Sequence, residues 1–434
     1  MKPELPRILG TAGATLFVVT FAIGTAIFLV PGVVAANAGS VGASIALWVA
    51  GGLLTLCGSL CYSELAVRIP RSGGEYRYMF AGWGPPLAFI FAWTTLFTMP
   101  VGIAAVARGF ADYFAAIWPL EEAGRRATAA IAIAVFGAIS IASTRAATRV
   151  AGFAAIAKLL ALLGVALAGI LAVAGPDPSP AEAAAAAAAG GSIPQLATGL
   201  VAIIWAFDGC MSVAYIAGEV RDPGRTVPRA LLTGLAIIAV VYVLINATYF
   251  HALGFAGVAG SDAVAAATLG QVLGPAAANV VAAMVMVSAI GTLAAQSVGN
   301  PRFFIGPAED GLFPAKLAAI SPRTLTPVNA IAMTAGIAIC LVALGGYAFL
   351  IRLYVLGFYP LVVVALFAAV RLRLREGPPR EFSMPLYPLP LVVYGAGVVG
   401  ICVASALADP VGAAFGLALP LSGAALYALK RRRG

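Results

Sequence analysis

Ionisable side chains are sparse in this sequence, and a few stand where water is scarce: Arg108, Lys158, Asp208 and Arg352 each interrupt a long apolar run. Inside a bilayer such groups are costly, so each calls for a partner or a task. Two stretches repeat one pattern. Ile23-Gly24-Thr25-Ala26-Ile27-Phe28 is followed shortly by Pro31, and Trp205-Ala206-Phe207-Asp208-Gly209-Cys210 is preceded by Pro194. In each, glycine and a short polar side chain sit where helix propensity falls. An unwound turn there exposes N–H groups at the start of one half-helix and carbonyls at the end of the other. The first attract an anion and the second a cation. An α-amino acid zwitterion carries both groups a few ångströms apart. Thr25 and Asp208 are placed to cap the half-helices that follow them, and Trp205 or Phe207 to close over a ligand. The competing reading, that Gly24 and Gly209 only permit close helix packing, is as strong for either stretch alone but weaker for the matched pair.

Positioning these residues is a task for helices in lipid. Of the 434 residues, 62% are hydrophobic and 10% charged, far below the quarter or so that a water-facing surface needs. Apolar runs long enough to cross the hydrocarbon core recur, without the alternation of barrel strands. Twelve spans are expected, near 9–36, 40–67, 82–117, 127–143, 151–174, 192–219, 229–252, 277–305, 326–345, 347–371, 388–407 and 410–429. The two interruptions stand five spans apart. That predicts an all-α membrane protein forming one polytopic domain: an inverted repeat of about 9–174 and 192–371, helices 1 and 6 discontinuous, with helices 11 and 12 at 388–429. The Ala183–Ala189 run reads as a short surface helix or a flexible segment. Met1 to Arg7 reads as a polar leader and not a cleavable signal.

Net charge is +9, yet the cations are sorted by loop. Odd-numbered loops and both tails carry nearly all of them, among them Arg68, Arg71, Arg77, Arg221, Arg302, Lys316, Arg373 and Lys430. The opposite loops hold only Arg125 and Arg126 beside Glu121, Glu122, Asp177, Glu182, Asp262 and Asp409. This asymmetry predicts both termini on the cytoplasmic side of the cell's inner (plasma) membrane and argues against a nucleic-acid partner.

Longer motifs carry a resemblance. Gly24-Thr25-Ala26-Ile27-Phe28, Cys61-Tyr62-Ser63-Glu64-Leu65 through Ile69-Pro70-Arg71-Ser72-Gly73-Gly74-Glu75-Tyr76, and Gly218-Glu219-Val220-Arg221-Asp222-Pro223 are three of them; Arg302-Phe303-Phe304 with Asp310-Gly311-Leu312-Phe313-Pro314 is a fourth. Together these resemble the amino acid–polyamine–organocation (APC) superfamily, most closely its L-type amino acid transporter branch. The resemblance implies a LeuT-like fold and an alternating-access transporter. It implies a substrate carboxylate at the backbone of Thr25 and Ala26, an α-amino group at carbonyls near Ala22, Ile23 and Trp205, and Trp205 as an outer aromatic gate. Ala26 replaces the second glycine of the family's first motif, Pro301 and Glu309 alter the eighth-span region, and Cys210 stands where tryptophan is common.

Lys158 has two readings. Its stem can snorkel to the interface; by the family pattern it replaces a bound sodium ion, its ammonium satisfying carbonyls at the first break. The latter implies sodium-independent exchange of small neutral amino acids, with a proton-coupled symporter or a polyamine carrier as rivals on the same fold and a non-transporting sensor as a different class. Arg108 reads as a snorkelling anchor. Arg352 reads as either an anchor or a partner for a second substrate carboxylate. Asp208, besides capping, suits a cationic side chain. Glu64, Glu75, Glu219, Arg71, Arg221 and Arg302 read equally as an inner gate of ion pairs or as solvated charges. His251, the lone histidine, reads as an interface residue. The five cysteines fall in apolar runs without metal-ligand spacing and outside any outer loop. No clustered Ser/His/Asp, metal or phosphate-binding constellation is present, so no enzyme, cofactor or ATP-driven pump is expected. The partners expected are a small amino acid and the lipid bilayer, with a partner subunit left open.

Overall fold

The computed structural model describes residues 7–172, 190–261, 263–344, 347–408 and 410–433. The Ala183–Ala189 run and the Arg352 side chain lie outside the described residues and side chains. Among the described residues all regular elements are helical, and nine helices are long and apolar enough to cross a membrane, with shorter apolar helices beside them.

The first expected span is broken in two: α1 (Thr11–Ala22) and α2 (Ala26–Ala38), separated at Ile23-Gly24-Thr25. Then follow α3 (Val41–Arg68), α4 (Glu75–Trp83), α5 (Pro85–Ile117), α6 (Glu122–Ala142) and α7 (Thr144–Leu171). Short polar residues set several starts: Ser40 Oγ accepts from Ala43 N–H and Ser143 Oγ from Ala146 N–H, each at 3.2 Å. Helix α8 (Ile193–Phe207) opens with Gln195 reaching back to the N–H of Ser192 at 3.1 Å. Beyond Phe207 the sixth span does not resume as an α-helix. It tightens into 3-10 turns at Asp208–Ala214 and Ala217–Glu219.

Helix α9 (Pro223–Ala259) is interrupted at Gly254, where φ is 66°. It is followed by α10 (Val264–Leu273), α11 (Ala277–Phe303), α12 (Ile305–Glu309), α13 (Val328–Leu344), α14 (Tyr347–Leu366), α15 (Ala368–Glu376), α16 (Leu389–Ala408) and α17 (Pro410–Arg433). The third expected span thus begins at Pro85, not residue 82, because α4 forms a separate helix whose chain turns at Gly84 with φ 83°.

Burial separates inner helices from outer ones. In the most apolar window of α5, 78% of residues are buried inside the protein, against 28% for α6 and 33% for α7. Helix α5 is therefore a central pillar, its 33 residues spanning about 50 Å at 1.5 Å per residue. It packs against α11, α14 and α17, while α9, α7 and α11 surround α1 and α3 packs on α9.

Charged groups near the cation-rich ends do not form one cluster. Glu219 and Arg302 are an ion pair buried to 2% and 0% exposure, and Arg302 also donates to Thr144 Oγ1 at 2.8 Å. Glu64 pairs with Arg373 and Arg68, and Arg77 with Glu309 and Asp310. Arg71 and Arg221 are exposed. Glu75 meets tyrosines instead of a cation, accepting from Tyr62 at 2.5 Å and Tyr215 at 3.3 Å. Arg108, read as a snorkelling anchor, is 8% exposed and pairs with Glu122 and Asp112, because the loop between α5 and α6 brings an acidic helix start beside it. His251 is exposed near a bend in α9.

The chain ahead of α1 is tied to the end of the sixth span. Ile8 and Leu9 N–H donate to Glu219 O at 2.9 and 3.1 Å, and Arg221 N–H returns to Leu9 O at 2.8 Å. Glu219 therefore couples three elements, by backbone to the N-terminal segment and by side chain to α11. Removing one partner of a buried ion pair strands the other at a cost of about 3–5 kcal/mol. Glu219→Ala and Arg302→Ala are each expected to lower thermal stability in detergent by that order, whereas the two alanines together lose less than the two single losses summed. Additive losses in the double-mutant cycle would show that the pair does not act as a unit.

Candidate functional site

The two breaks touch. A methyl group at Gly209 would lie 2.4 Å from Phe21 C and 2.5 Å from Ala22 N, so only glycine lets the second break lie against the end of α1. Gly24 is not under that constraint; a Cβ there would meet Thr292 Oγ1 at 3.8 Å, an ordinary contact. Close packing thus explains Gly209, and low helix propensity remains the account of Gly24.

A cavity with about 40 Å³ of free space lies where the breaks meet, room on the order of a few water molecules. Ala22, Gly24, Thr25 and Ala26 line it from the first break, and Trp205, Asp208 and Gly209 from the second. Met99, Gly102 and Val106 of α5, Thr292, Gln296 and Asn300 of α11, and Tyr354 of α14 supply the other walls. The first hydrogen bond of α2 runs from Phe28 N–H to Thr25 O at 3.2 Å, and the N–H groups ahead of it, at Thr25 and Ala26, form its electropositive edge.

Two of the sequence candidates lie off this cavity. Phe207 does not close over it; its ring packs between Trp48 (6.4 Å) and Tyr242 (5.1 Å), on the opposite side of the sixth span. Ile23 turns its carbonyl away, toward Lys158 and Ser288. Trp205 stays at the rim, its ring 5.4 Å from that of Tyr354 in a T-shaped contact.

Lys158 is fully buried and does not snorkel. Its ammonium donates to Thr20 O at 3.0 Å, to Ile23 O and to Thr292 Oγ1 at 3.2 Å. Thr292 Oγ1 lies 3.1 Å from Thr20 O, and Ser288 Oγ donates to Gly24 O at 3.1 Å. One cation and two hydroxyls therefore gather the carbonyls that the break leaves without helical partners. Ser288 and Thr292 escaped the sequence reading. Their signal was an i, i+4 pair of hydroxyls in an apolar span, one face of one helix.

The capping expectations fail. Thr25 occupies the N-cap position of α2 with helical φ −77° and ψ −18°, and its side chain makes no cap bond; a residue already in the helical well aims its hydroxyl away from the first-turn N–H groups. Asp208 opens a 3-10 turn without a cap bond. Its carboxylate instead accepts from Tyr354 at 2.9 Å and Tyr359 at 2.6 Å. Two tyrosines on α14 thus hold the second break, and the pairing was not legible because it spans 146 and 151 residues.

A helical membrane protein with a small polar cavity at two facing helix breaks, walled by backbone and short polar side chains, has the build of a transporter. The chain belongs to the amino acid permease family, whose model matches residues 9–421, within the APC superfamily that the motifs indicated. Relatives agree. Over 98% of its length the chain is 30% identical to large neutral amino acids transporter small subunit 2 of Homo sapiens, covering 80% of that protein. It is 30% identical to b(0,+)-type amino acid transporter 1 of Oryctolagus cuniculus over 76% of this chain and 68% of that one. This is accordingly a multi-pass amino acid transporter and not an enzyme.

Packing separates the two glycines in a testable way. Gly209→Ala forces a methyl into backbone and is expected to cost about 1–3 kcal/mol or more, whereas Gly24→Ala is expected to leave the thermal midpoint of the purified protein nearly unchanged. Equal midpoints for the two variants would contradict the contact at Gly209.

Proposed function

We propose that this protein exchanges small neutral α-amino acids across the plasma membrane by alternating access, without sodium. The scaffold is a LeuT-like arrangement of twelve spans, with inverted repeats at about 9–174 and 192–371, both termini being cytoplasmic. In this reading the substrate carboxylate bonds to the N–H groups at Thr25 and Ala26. The α-amino group meets carbonyls at Ala22 and Trp205, Ile23 O being taken by Lys158. Gly24 and Gly209 keep the site open to backbone. Side-chain selection falls to α5, α11 and α14, and the small cavity favours a short apolar substituent. Trp205 serves as the aromatic gate.

The observation that carries sodium independence is the buried Lys158 ammonium bonded to Thr20 and Ile23 carbonyls. A sodium ion at the first break would need those same oxygens, and a fixed cation that satisfies them leaves no requirement for a free one. Asp208 supports a second reading, recognition of a cationic substrate side chain, since this acidic residue lines the cavity. Putrescine or lysine competition that disappears in Asp208→Asn would favour it.

The deciding experiment is uptake of radiolabelled amino acid into proteoliposomes, preloaded with unlabelled amino acid or empty, in sodium or choline, with and without a proton gradient. Uptake confined to preloaded vesicles and equal in sodium and choline is expected. Uptake into empty vesicles driven by external acid would make this a proton symporter, and a sodium requirement would sink the Lys158 reading. Lys158→Ala strands carbonyls that held a charge-assisted donor, worth about 1.5–3 kcal/mol. It is therefore expected to cut exchange by roughly 10- to 100-fold; unchanged exchange would remove Lys158 from the mechanism.

A further inference from the structure

One motif plays no part in the transport site. Asp310-Gly311-Leu312-Phe313-Pro314 links α12 to a 3-10 turn at Ala315–Ala318, on the cation-rich side of the protein. There it roofs a groove of about 560 Å³, well within the range of small-molecule sites. Phe89, Trp93 and Leu96 form one wall along α5, Met333 of α13 another, and Leu426 of α17 a third. The walls are fixed by aromatic contacts: the Phe89 ring lies 6.1 Å from that of Phe313 and 5.4 Å from that of Tyr427. Trp93 Nε1 donates to Ser422 Oγ at 3.0 Å, tying α5 to α17.

The groove is apolar along its length and cationic at one end. Lys316 and Lys430 are exposed and both line it. Lys430 Nζ donates to Gly311 O at 3.1 Å and Leu312 O at 3.4 Å, which anchors its charge at the roof. Among the described residues neither lysine is paired with a carboxylate. Two unneutralised ammoniums over a hydrocarbon-lined groove ask for an anion joined to an alkyl chain. A zwitterionic lipid satisfies the walls but brings its own cation to the mouth; an anionic headgroup satisfies both ends.

We propose that this groove binds an anionic glycerophospholipid, one acyl chain lying along α5 between α13 and α17 and the phosphate meeting Lys316 and Lys430. Its occupancy braces the segment that joins α12 to α13.

Trp93 supplies the probe. The full chain is reconstituted in phosphatidylcholine vesicles containing a minor fraction of brominated phosphatidylglycerol or of brominated phosphatidylcholine, and the fluorescence quenching lost on Trp93→Phe is taken as the groove signal. Brominated phosphatidylglycerol is expected to quench at a mole fraction lower on the order of tenfold. Lys316→Gln with Lys430→Gln is expected to abolish that preference, and Lys316→Arg with Lys430→Arg to retain it. The arginine pair also checks that the fold tolerates change at both positions. Equal quenching by the two lipids, as expected if a zwitterionic lipid fills the groove, overturns the proposal. So does a preference that survives in the glutamine pair or vanishes in the arginine pair.

Discussion

Everything at the centre of this protein follows from a single constraint: a helix broken in mid-membrane must have its freed backbone groups satisfied without water. A carbonyl stranded in hydrocarbon costs several kcal/mol. Here the bonds come from side chains on other helices. The Lys158 ammonium collects Thr20 O and Ile23 O, and Ser288 Oγ takes Gly24 O. These bonds determine which groups remain for a ligand. Carbonyls on the Lys158 side are used, whereas Thr25 and Ala26, which open α2, line the cavity. The same lysine that makes the break affordable gives the site its polarity.

The second break obeys the same rule by another route. Its chain tightens into 3-10 turns instead of opening into a loop, so more of its backbone bonds stay local. Tyr242 donates to Ala206 O at 3.0 Å, while Tyr354 and Tyr359 clasp Asp208 from α14. Because Gly209 lies directly on the end of α1, neither break can shift without the other responding. Beyond it, Glu219 joins the sixth span to the residues that precede α1 and, through Arg302, to α11. The two broken spans are thus joined both at their centres and at their cation-rich ends.

What was legible in the sequence follows from the range over which each signal acts. Span positions and both breaks could be read because hydropathy and glycine act locally: residues 9–36 became Thr11–Ala38 with its break at Gly24, and 277–305 became Ala277–Phe303. Helix α4 was missed because its nine residues mix charged and aromatic side chains without a long apolar run. The capping roles of Thr25 and Asp208 failed because a cap depends on φ and ψ at a single residue, which propensity does not resolve. Phe207 was misplaced for a different reason: two residues along an α-helix turn a side chain by about 200°, so Trp205 and Phe207 of α8 cannot both face the cavity. Tyrosine partners across 146 residues left no local trace.

In the proposed mode of binding, backbone recognition and side-chain selection fall to different parts of the fold. The breaks would offer main-chain groups, identical whatever residue supplies them, to the part of an amino acid that never changes, and the variable part would meet α5, α11 and α14, which wall the cavity. On α11 the polar positions Thr292, Gln296 and Asn300 follow one face at a spacing of four, and Thr292 is already engaged by Lys158. Gln296 and Asn300 therefore lie further along the same face, clear of the lysine contact. Substitution at Thr292 disturbs the support of the break together with the cavity wall, while substitution at Gln296 changes the wall alone. On the proposed mode of binding, specificity would be freest to change at Gln296 and its neighbours on α5, and most constrained at Thr292, where a wall residue also holds the break together.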